Sequence, residues 1–439
     1  MKDFFPDLLI TYLLAFRQSF STRGFVYFQG FIAALLITEG RKCVTRVAHG
    51  CFFIEKSLSS WESFLSQSSW DSGQVSERLM ALVLDKLGHG LLYAHRYLVA
   101  IDTTYALKVK GRMLGVQRWS QSSQNPDRKA TVVGHHWAIA GLLSFIDSQW
   151  QCFPLLTRLI SGQTRPSHFV VSPEGESSAM SFWDAVLAVV FVVASSVTSA
   201  PLCVVADAYF AKAPFLNPLI EKGIGVVSRL RHDAVGFDDP LYCGRGRPPK
   251  KGKKWKLAQL WEHLEHQTVR AHLYGKTICV PYVVYDVWIR DVTQKVRVVV
   301  VEGVKHPILL VSTSMSLSAK EIIEIYAARF ALELAIRDLK QHIGFCDYQS
   351  ITTIAFLRFA QLCCCALSIG RLILCQAKSQ PWLNDESKTA GHETALSVRK
   401  LRRCLRQFVL RRLLFSKSAS DANFKKSQSD LEAIFRLAA

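Results

Sequence analysis

The segment EIYAARFALELAIRDLK, residues 324–340, predicts a helix that is apolar on almost every side. On a helical wheel at about 100° per residue, five of its polar side chains fall within an arc of roughly 80°. We call this set the polar line: Tyr326, Arg329, Glu333, Arg337 and Lys340. Surface helices normally carry a wider polar face. We therefore expect a helix that is buried on most sides, with one charged line open and Asp338 as an exception on the opposite side.

Two aspartates follow apolar segments elsewhere in the chain. RYLVAIDTTY predicts a strand that ends at Asp102, and LCVVADAYF predicts a buried strand that ends at Asp207. Functional side chains are common at the carboxyl ends of strands, and a buried carboxylate must be paired or bind a metal. Together with Glu333, the two aspartates offer oxygen ligands for two Mg²⁺ ions about 4 Å apart, an arrangement that promotes in-line phosphoryl transfer.

Each of these carboxylates also has a purely structural interpretation. Asp102 and Asp207 are placed to cap the turn that follows a strand. Glu333 has the helical spacing to pair with Arg329 or Arg337. Taken together, the three carboxylates favour the catalytic interpretation, because two strand aspartates followed by a helix glutamate form one arrangement.

The charge of the chain indicates a polyanionic partner. Lysine and arginine outnumber aspartate and glutamate by 54 to 35, which gives a formal net charge of +19. Nucleic acid and an anionic membrane surface are the partners that such an excess favours. A basic protein with neither partner is the alternative.

The uncharged stretch 185–206 is long enough to span a bilayer. The serines and the proline in its middle favour a buried helix, a turn and a buried strand instead, so we expect no membrane partner. The twelve cysteines contain no C-x-x-C pair, and Cys363, Cys364 and Cys365 are consecutive. This usage is typical of small buried side chains in a reducing cytoplasm.

The character of the sequence changes several times along the chain. Residues 1–92 predict short helices, which fit helix-turn-helix DNA binding as well as a bundle that only packs. Residues 93–231 predict a mixed α/β core. Residues 232–310 predict a β-rich insertion in that core, and residues 311–348 predict the helix that completes the core. Residues 349–439 predict a helical region, with oligomerisation as one role, that ends in a basic amphipathic segment.

A basic loop, CGRGRPPKKGKKWK, lies inside the predicted insertion at residues 243–256. Arg245 and Arg247 form an R-G-R-P sequence that resembles an AT-hook, in which flat arginine side chains enter a narrow minor groove. Lys250 and Lys251 extend the charge. The alternative is a solvated loop that binds phosphates without reading sequence. Trp288, in a strand of the insertion, is either a base-stacking side chain or, as we prefer, part of the core.

The polar line carries a family resemblance. Its Tyr326, Arg329, Glu333 and Lys340 match at every step the Y-(2)-R-(3)-E-(6)-K signature of cut-and-paste DDE transposases of bacterial insertion sequences. AIDTT and VVADAYF look like the first and second aspartate motifs of that family, and GVQRW and GHHWA resemble the segment after the first aspartate. The resemblance covers about residues 97–345 well and extends weakly to the N-terminal helices.

The resemblance implies an α/β, ribonuclease-H-like catalytic core with a β-rich insertion, flanked by helical N- and C-terminal regions. It implies that three carboxylates are catalytic and hold Mg²⁺, with Mn²⁺ as the expected substitute: Asp102, Asp207 and Glu333. It also implies phosphate contacts at the transposon end from the rest of the polar line and from the basic loop: Tyr326, Arg329, Arg337, Lys340, Arg245, Arg247, Lys250 and Lys251.

The implied activity is cleavage of double-stranded DNA at the terminal inverted repeats of an insertion sequence, followed by joining of the 3′ ends to target DNA. Pairing two ends requires at least a homodimer in the active complex. The implied location is the bacterial cytoplasm, in association with the nucleoid. A catalytically inactive or domesticated relative that only binds DNA is the alternative function.

Overall fold

The structure is a computed structural model that describes residues 4–54, 56–108, 113–120, 130–160, 181–241, 251–384 and 397–418. The helices are α1 (Asp7–Leu14), α2 (Thr22–Ile37), α3 (Val44–Gly50), α4 (Leu58–Ser66), α5 (Ser72–Leu87), α6 (Phe182–Ser196), α7 (Ala213–Glu221), α8 (Leu260–His263), α9 (Ala319–Ala328), α10 (Phe330–Asp338), α11 (Thr353–Cys375), α12 (Pro381–Asn384) and α13 (Val398–Ser418). The strands are β1 (Leu92–Tyr93), β2 (Arg96–Leu107), β3 (Gln117–Ser120), β4 (Thr131–Ile146), β5 (Gln149–Ile160), β6 (Leu202–Val205), β7 (Gly225–Leu230), β8 (Val235–Phe237), β9 (Lys254–Lys256), β10 (Gln267–Leu273), β11 (Lys276–Ile289), β12 (Lys295–Val301) and β13 (Ile308–Ser312).

These elements form two compact units. The first unit contains residues 1–86, 106–116 and 336–439, and the second contains residues 87–105 and 117–335. The division passes through α10 between residues 335 and 336. The domain boundaries that we expected from the sequence alone stay predictions.

The second unit is built on a single mixed sheet. Its strand order is β3-β4-β2-β6-β7-β13-β12-β11-β8-β9, with β5 added beside β4, β1 beside β2 and β10 beside β11. Strands β2, β6 and β7 run parallel to one another. Helix α6 packs on β4 and β5, and α9 packs on β7, β12 and β13. The structure is therefore a mixed α/β protein, as the sequence predicted.

The predicted β-rich insertion continues this sheet. Strand β13 pairs antiparallel with β7, so that Val311 lies opposite Ser228, and β12 and β11 follow in antiparallel order. The insertion therefore covers the edge of β7 that would be exposed in a core without it. Parallel strands that are buried in this way read as continuous apolar runs, and the four residues of β6 are all buried.

One strand is longer than predicted. We expected the first apolar strand to end at Asp102, but β2 continues to Leu107, so that prediction is wrong. The Asp-Thr-Thr sequence suggested a turn, whereas threonine is a good strand residue. Because β2 lies between β4 and β6 in the sheet, neighbours on both sides support the extended conformation. Asp102 therefore lies inside a strand.

The polar-line helix is not one uniform helix. α9 begins with a capping box, in which Ser318 and Glu321 bind each other's backbone N–H groups, and it ends at Ala328. α10 starts at Phe330, and a π-helical turn, Leu339–Ile343, follows Asp338. We expected burial on most sides, and Phe330, which is 44% exposed, is an apolar residue that lies on an open side.

The core of the first unit is formed around α11. This helix packs against α2, α4 and α13, and its three consecutive cysteines are fully buried. α11 is the one described helix that is long and apolar enough to cross a bilayer, and 83% of its apolar window is buried inside the protein. The stretch 185–206, which we weighed as a membrane segment, forms α6, a turn and β6.

Candidate active site

Asp102 in β2 and Asp207, two residues after the end of β6, occupy equivalent positions along two neighbouring parallel strands, although the strand that we expected to end at Asp207 ends at Val205. β2 and β6 pair in the register Ala100 opposite Val205, and each aspartate lies two residues further along its own chain segment. Adjacent strands are about 4.8 Å apart. The sheet therefore brings two carboxylates together that are more than a hundred residues apart in sequence.

The backbone around each aspartate holds its side chain. Oδ1 of Asp102 accepts a hydrogen bond from the N–H of Thr103 at 2.7 Å. Oδ1 of Asp207 accepts one from the N–H of Tyr209 at 2.9 Å, and the carbonyl of Asp207 accepts one from the hydroxyl of Ser228 in β7 at 2.7 Å. The turn that we considered as a structural role for Asp207 is thus present, and it leaves the second carboxylate oxygen available to a ligand.

The electrostatic environment of Asp102 shows how close the acidic groups are. Its pKa is raised from 3.8 to about 7, first by burial and then by the negative charge of Asp207. Glu333 raises the same pKa further, while the N–H of Thr103 and the charge of Arg329 lower it. All three predicted carboxylates therefore contribute to one electrostatic site in the second unit.

Arg329 lies among these carboxylates. Its Nη2 is 2.6 Å from Oε1 of Glu333, four residues further along the helix. Burial disfavours the charge of Arg329, but Tyr326, Glu333 and Asp102 outweigh that effect and raise its pKa. The helical ion pair that we kept as an alternative for Glu333 is therefore present, and it coexists with the shared acidic site.

Tyr326 extends the site towards β7. Its ring centroid is 5.6 Å from the guanidinium carbon of Arg329. Burial raises the pKa of Tyr326, the charges of Arg329 and Arg229 lower it, and Asp207 raises it slightly. Arg229, an exposed side chain of β7, was not predicted, because its proximity to Tyr326 depends on the pairing of β7 with its neighbours.

The other predicted DNA-contact residues belong to the first unit or to the basic loop. Arg337 and Lys340 belong to the first unit. The side chain of Arg337 is 57% exposed, with Nε 4.0 Å from Oδ1 of Asp338, and Lys340 lies in the π-helical turn. In the basic loop, Arg245, Arg247 and Lys250 lie outside the described residues. Nζ of Lys251 is 4.5 Å from the ring centroid of Phe237.

Trp288 does not belong to the apolar core, contrary to our preferred interpretation. It is partly exposed in β11, and its Nε1 donates a hydrogen bond of 2.9 Å to Oδ1 of Asp239. Asp239 also forms an ion pair with Lys295. The indole therefore packs at the surface of the insertion, because a polar partner lies within reach of its N–H.

The donor set of the acidic site fits a divalent cation. Carboxylate oxygens are the ligands that Mg²⁺ prefers, and it is usually held by one or two of them together with water and substrate phosphate. Among the described residues, no three ligand side chains are gathered tightly enough to enclose an ion. The raised pKa of Asp102 nevertheless shows a site where added positive charge is favourable.

Comparison with protein families gives a match over much of the chain. The model of a family described as DDE superfamily endonuclease matches residues 15–278, which is more than half of the chain. The match includes Asp102 and Asp207 and ends before Glu333. No curated protein matches the chain at a significant level.

Proposed function

The chain belongs to the DDE superfamily of endonucleases, and from that membership we propose that it is the transposase of a bacterial insertion sequence. In this proposal it binds the terminal inverted repeats of its element and cleaves the DNA at both ends. It then joins the freed 3′ ends to target DNA. Two ends must be paired in the active complex, so the proposal includes at least a homodimer on double-stranded DNA in the bacterial cytoplasm.

One observation carries this proposal. One aspartate lies in β2 and the other lies two residues after the parallel strand β6, at the equivalent position, and Glu333 is close enough to affect the pKa of Asp102. The strand order β5-β4-β2-β6-β7 supports a ribonuclease-H-like core, since Asp102 and Ser228 lie in two of its parallel strands and Asp207 follows the third. The spacing of the polar line supports the insertion-sequence subtype.

The roles of the side chains follow from their chemistry. We assign Asp102, Asp207 and Glu333 to hold divalent metal, Mg²⁺ or its substitute Mn²⁺. Bound metal supplies a Lewis acid that activates the attacking oxygen and stabilises the leaving oxygen. Arg329 balances the charge of Glu333 in the protein alone, and its guanidinium has the geometry to bind a phosphate oxygen of the cut strand.

DNA is the partner that the charge of +19 favours. We assign phosphate contacts to Tyr326, Arg329, Arg337 and Lys340 of the polar line. We assign a second contact region to the basic loop that contains Arg245, Arg247, Lys250 and Lys251. Arg229, exposed on β7 near Tyr326, joins the first set.

Cleavage of the DNA that flanks the gene tests the proposal. Purified protein is incubated with a fragment that carries the gene and its flanking sequences, and new ends are mapped at nucleotide resolution. We expect cuts at both borders of a pair of short inverted repeats with Mg²⁺ or Mn²⁺, and none with EDTA. Tight binding of the same fragment without cleavage under either metal would indicate the inactive relative instead.

Binding to DNA should fall steeply with salt. Each neutralised phosphate releases counterions, and a protein with six to ten phosphate contacts loses about 10³–10⁵ in affinity between roughly 50 and 200 mM salt. We expect the double variant Arg245→Ala/Arg247→Ala to reduce the slope of log affinity against log salt by about 2. The measurement is fluorescence anisotropy with a labelled duplex. A flat response of the wild-type protein would contradict a DNA partner.

A further inference from the structure

Glu324 is a buried carboxylate that lies outside the acidic site. It belongs to α9, two residues before Tyr326, and is 5% exposed. Its Oε1 accepts a hydrogen bond of 2.7 Å from the backbone N–H of His272, and its Oε2 accepts one from the hydroxyl of Tyr93. A carboxylate is strongly unfavourable in such a place unless donors satisfy it. Each oxygen of Glu324 has its own donor, so both partners fix its position.

The two donors come from different parts of the second unit. Tyr93 ends β1 and lies opposite Arg96 of β2 across a tight turn, in which Ala94 and His95 have positive φ. β2 is the strand that carries Asp102. The bond from Tyr93 therefore ties α9 to the hairpin that leads into the strand of the first aspartate.

The second donor belongs to the insertion. His272 lies in β10, which pairs with β11 and with no other strand in the described part of the chain. An outward N–H of such an edge strand needs a partner, and Glu324 provides it. The ring of His272 makes a separate hydrogen bond. Its Nε2 donates to the carbonyl of Ser148 in the β4–β5 turn at 2.9 Å.

A further bond fixes the start of the same helix. Nη2 of Arg96 lies 2.5 Å from the hydroxyl of Ser316, two residues before the Ser318 cap of α9. One bond thus holds the chain just before α9, and Glu324 holds the helix in its second turn. These two separated attachments, together with the packing of α9 on β7, β12 and β13, define the direction of the helix more closely than packing alone.

Small errors in that direction matter because the catalytic groups lie further along. Glu333 is nine residues beyond Glu324, which is about 14 Å at roughly 1.5 Å per residue. A tilt of roughly 4° displaces that end by about 1 Å, and a misplacement of this size costs about 10²-fold in rate.

We propose that Glu324 is a positioning residue, which sets the place of Arg329 and Glu333 relative to the two aspartates by tying α9 to both β1 and β10. The proposal rests on the proposed function of the acidic site. It adds a role for the insertion, since β10 supplies one of the two donors that orient the catalytic helix.

Three variants and one control test this role. Glu324→Ala removes both bonds. Glu324→Gln keeps both, because its amide oxygen accepts from His272 while its amide N–H donates to the Tyr93 oxygen. Tyr93→Phe removes one. The control is Glu321→Ala on the same helix, which removes the capping bond to the N–H of Ser318 and weakens α9 without touching Glu324.

We measure thermal melting, Mn²⁺ binding to the protein alone by electron paramagnetic resonance, and cleavage of the flanking-DNA fragment. Glu324→Ala should lower cleavage by about 100-fold and Mn²⁺ affinity by about 10-fold, and Tyr93→Phe should lose about 10-fold in cleavage. Glu324→Gln should stay within about 3-fold of wild type. Glu321→Ala should lower the melting temperature and stay within about 3-fold in both other measurements.

The outcomes separate this role from the function on which it rests. A wild-type protein that neither binds Mn²⁺ nor cuts the fragment would overturn both. A wild-type protein that does both, beside a folded Glu324→Ala that does both equally well, would overturn the positioning role alone. If Glu324→Ala does not fold, Tyr93→Phe decides, since cleavage at the wild-type rate by that variant contradicts the proposal.

Discussion

Asp102→Asn and Asp207→Asn should each lower metal-dependent cleavage on the order of 10³-fold or more, while the folded protein still binds DNA. Asparagine keeps the shape of the side chain but not the charge that a divalent ligand site requires. The measurement is single-turnover cleavage of the flanking-DNA fragment in Mg²⁺ and in Mn²⁺. Asp291→Asn, at an exposed site whose carboxylate faces Arg290, is the matched control and should cleave normally.

The same Asp102→Asn variant should be more stable than wild type in the absence of metal. The pKa of Asp102 is about 7 in the folded protein against 3.8 ordinarily, because burial and Asp207 disfavour its charge. The folded state thus binds more protons than the unfolded state between about pH 4 and 7. The contribution of Asp102 to stability is therefore present below that window and lost as the pH rises through it.

Thermal melts in EDTA at pH 4 and pH 8 check this sign. Asp102→Asn should melt several degrees higher than wild type at pH 8, since about 1 kcal/mol corresponds to roughly 2–4 °C in a protein domain of 150–250 residues. The difference should be much smaller at pH 4, where the wild-type carboxyl is protonated in the folded state and roughly half protonated in the unfolded state. A variant that melts lower at pH 8 would contradict the shared acidic site.

Loss of the buried ion pair between Asp338 and Arg371 should cause the largest loss of stability. Oδ2 of Asp338 is 2.9 Å from Nη2 of Arg371, and the two side chains are 13% and 7% exposed. Removal of one partner leaves the other buried without its countercharge, which costs about 3–5 kcal/mol. Asp338→Ala and Arg371→Met should each lower the free energy of unfolding by about that amount.

Urea unfolding measures this loss, and the exposed pair Arg290–Asp291 provides the comparison. Its side chains are 81% and 73% exposed, so Arg290→Ala, which removes the pair and keeps Asp291 at its positive φ, should change stability by less than about 0.5 kcal/mol. The double variant Asp338→Leu/Arg371→Met should recover part of the loss, because no unpaired charge remains. If Asp338→Ala loses cleavage with unchanged stability, we have assigned the wrong face of α10 to catalysis.

Local patterns predicted much of the fold. The apolar segment QWQCFPLLTRLI, residues 149–160, predicts a strand, and β5 has those bounds, because its apolar run lies between a turn and a change in composition. RKCVTRVAHGC, residues 41–51, predicts a short basic helix stopped by Gly50, and α3 ends there. The C-terminal basic segment predicts an apolar stripe of Val398, Leu401, Leu405 and Phe408; the first three are buried, whereas Phe408 is partly exposed. In each case the signal lies within the segment itself.

Features that depend on distant partners were not predictable. The end of β2 beyond Asp102 and the joining of β13 to β7 depend on strands far away in sequence. Glu324 was part of an apolar run, IIEIY, and nothing in that run indicated that Tyr93 and His272 would satisfy it. The helical-wheel analysis assumed a constant value of about 100° per residue. It therefore did not predict the interruption at Arg329 or the π-helical turn after Asp338.

The pairing of β13 with β7 has a consequence for the order in which the protein is made. β7 leaves the ribosome long before β13. Until β13 has been made, the edge of β7 that pairs with it has no partner. At roughly 5–20 residues per second, synthesis from Asp207 to Glu333 takes about 6–25 seconds. During that interval an unpaired edge is open to aggregation, and the nascent chain has two carboxylates but not the third. Under the proposed function, a nascent chain that has not yet reached Glu333 lacks part of the acidic site and should not cut DNA.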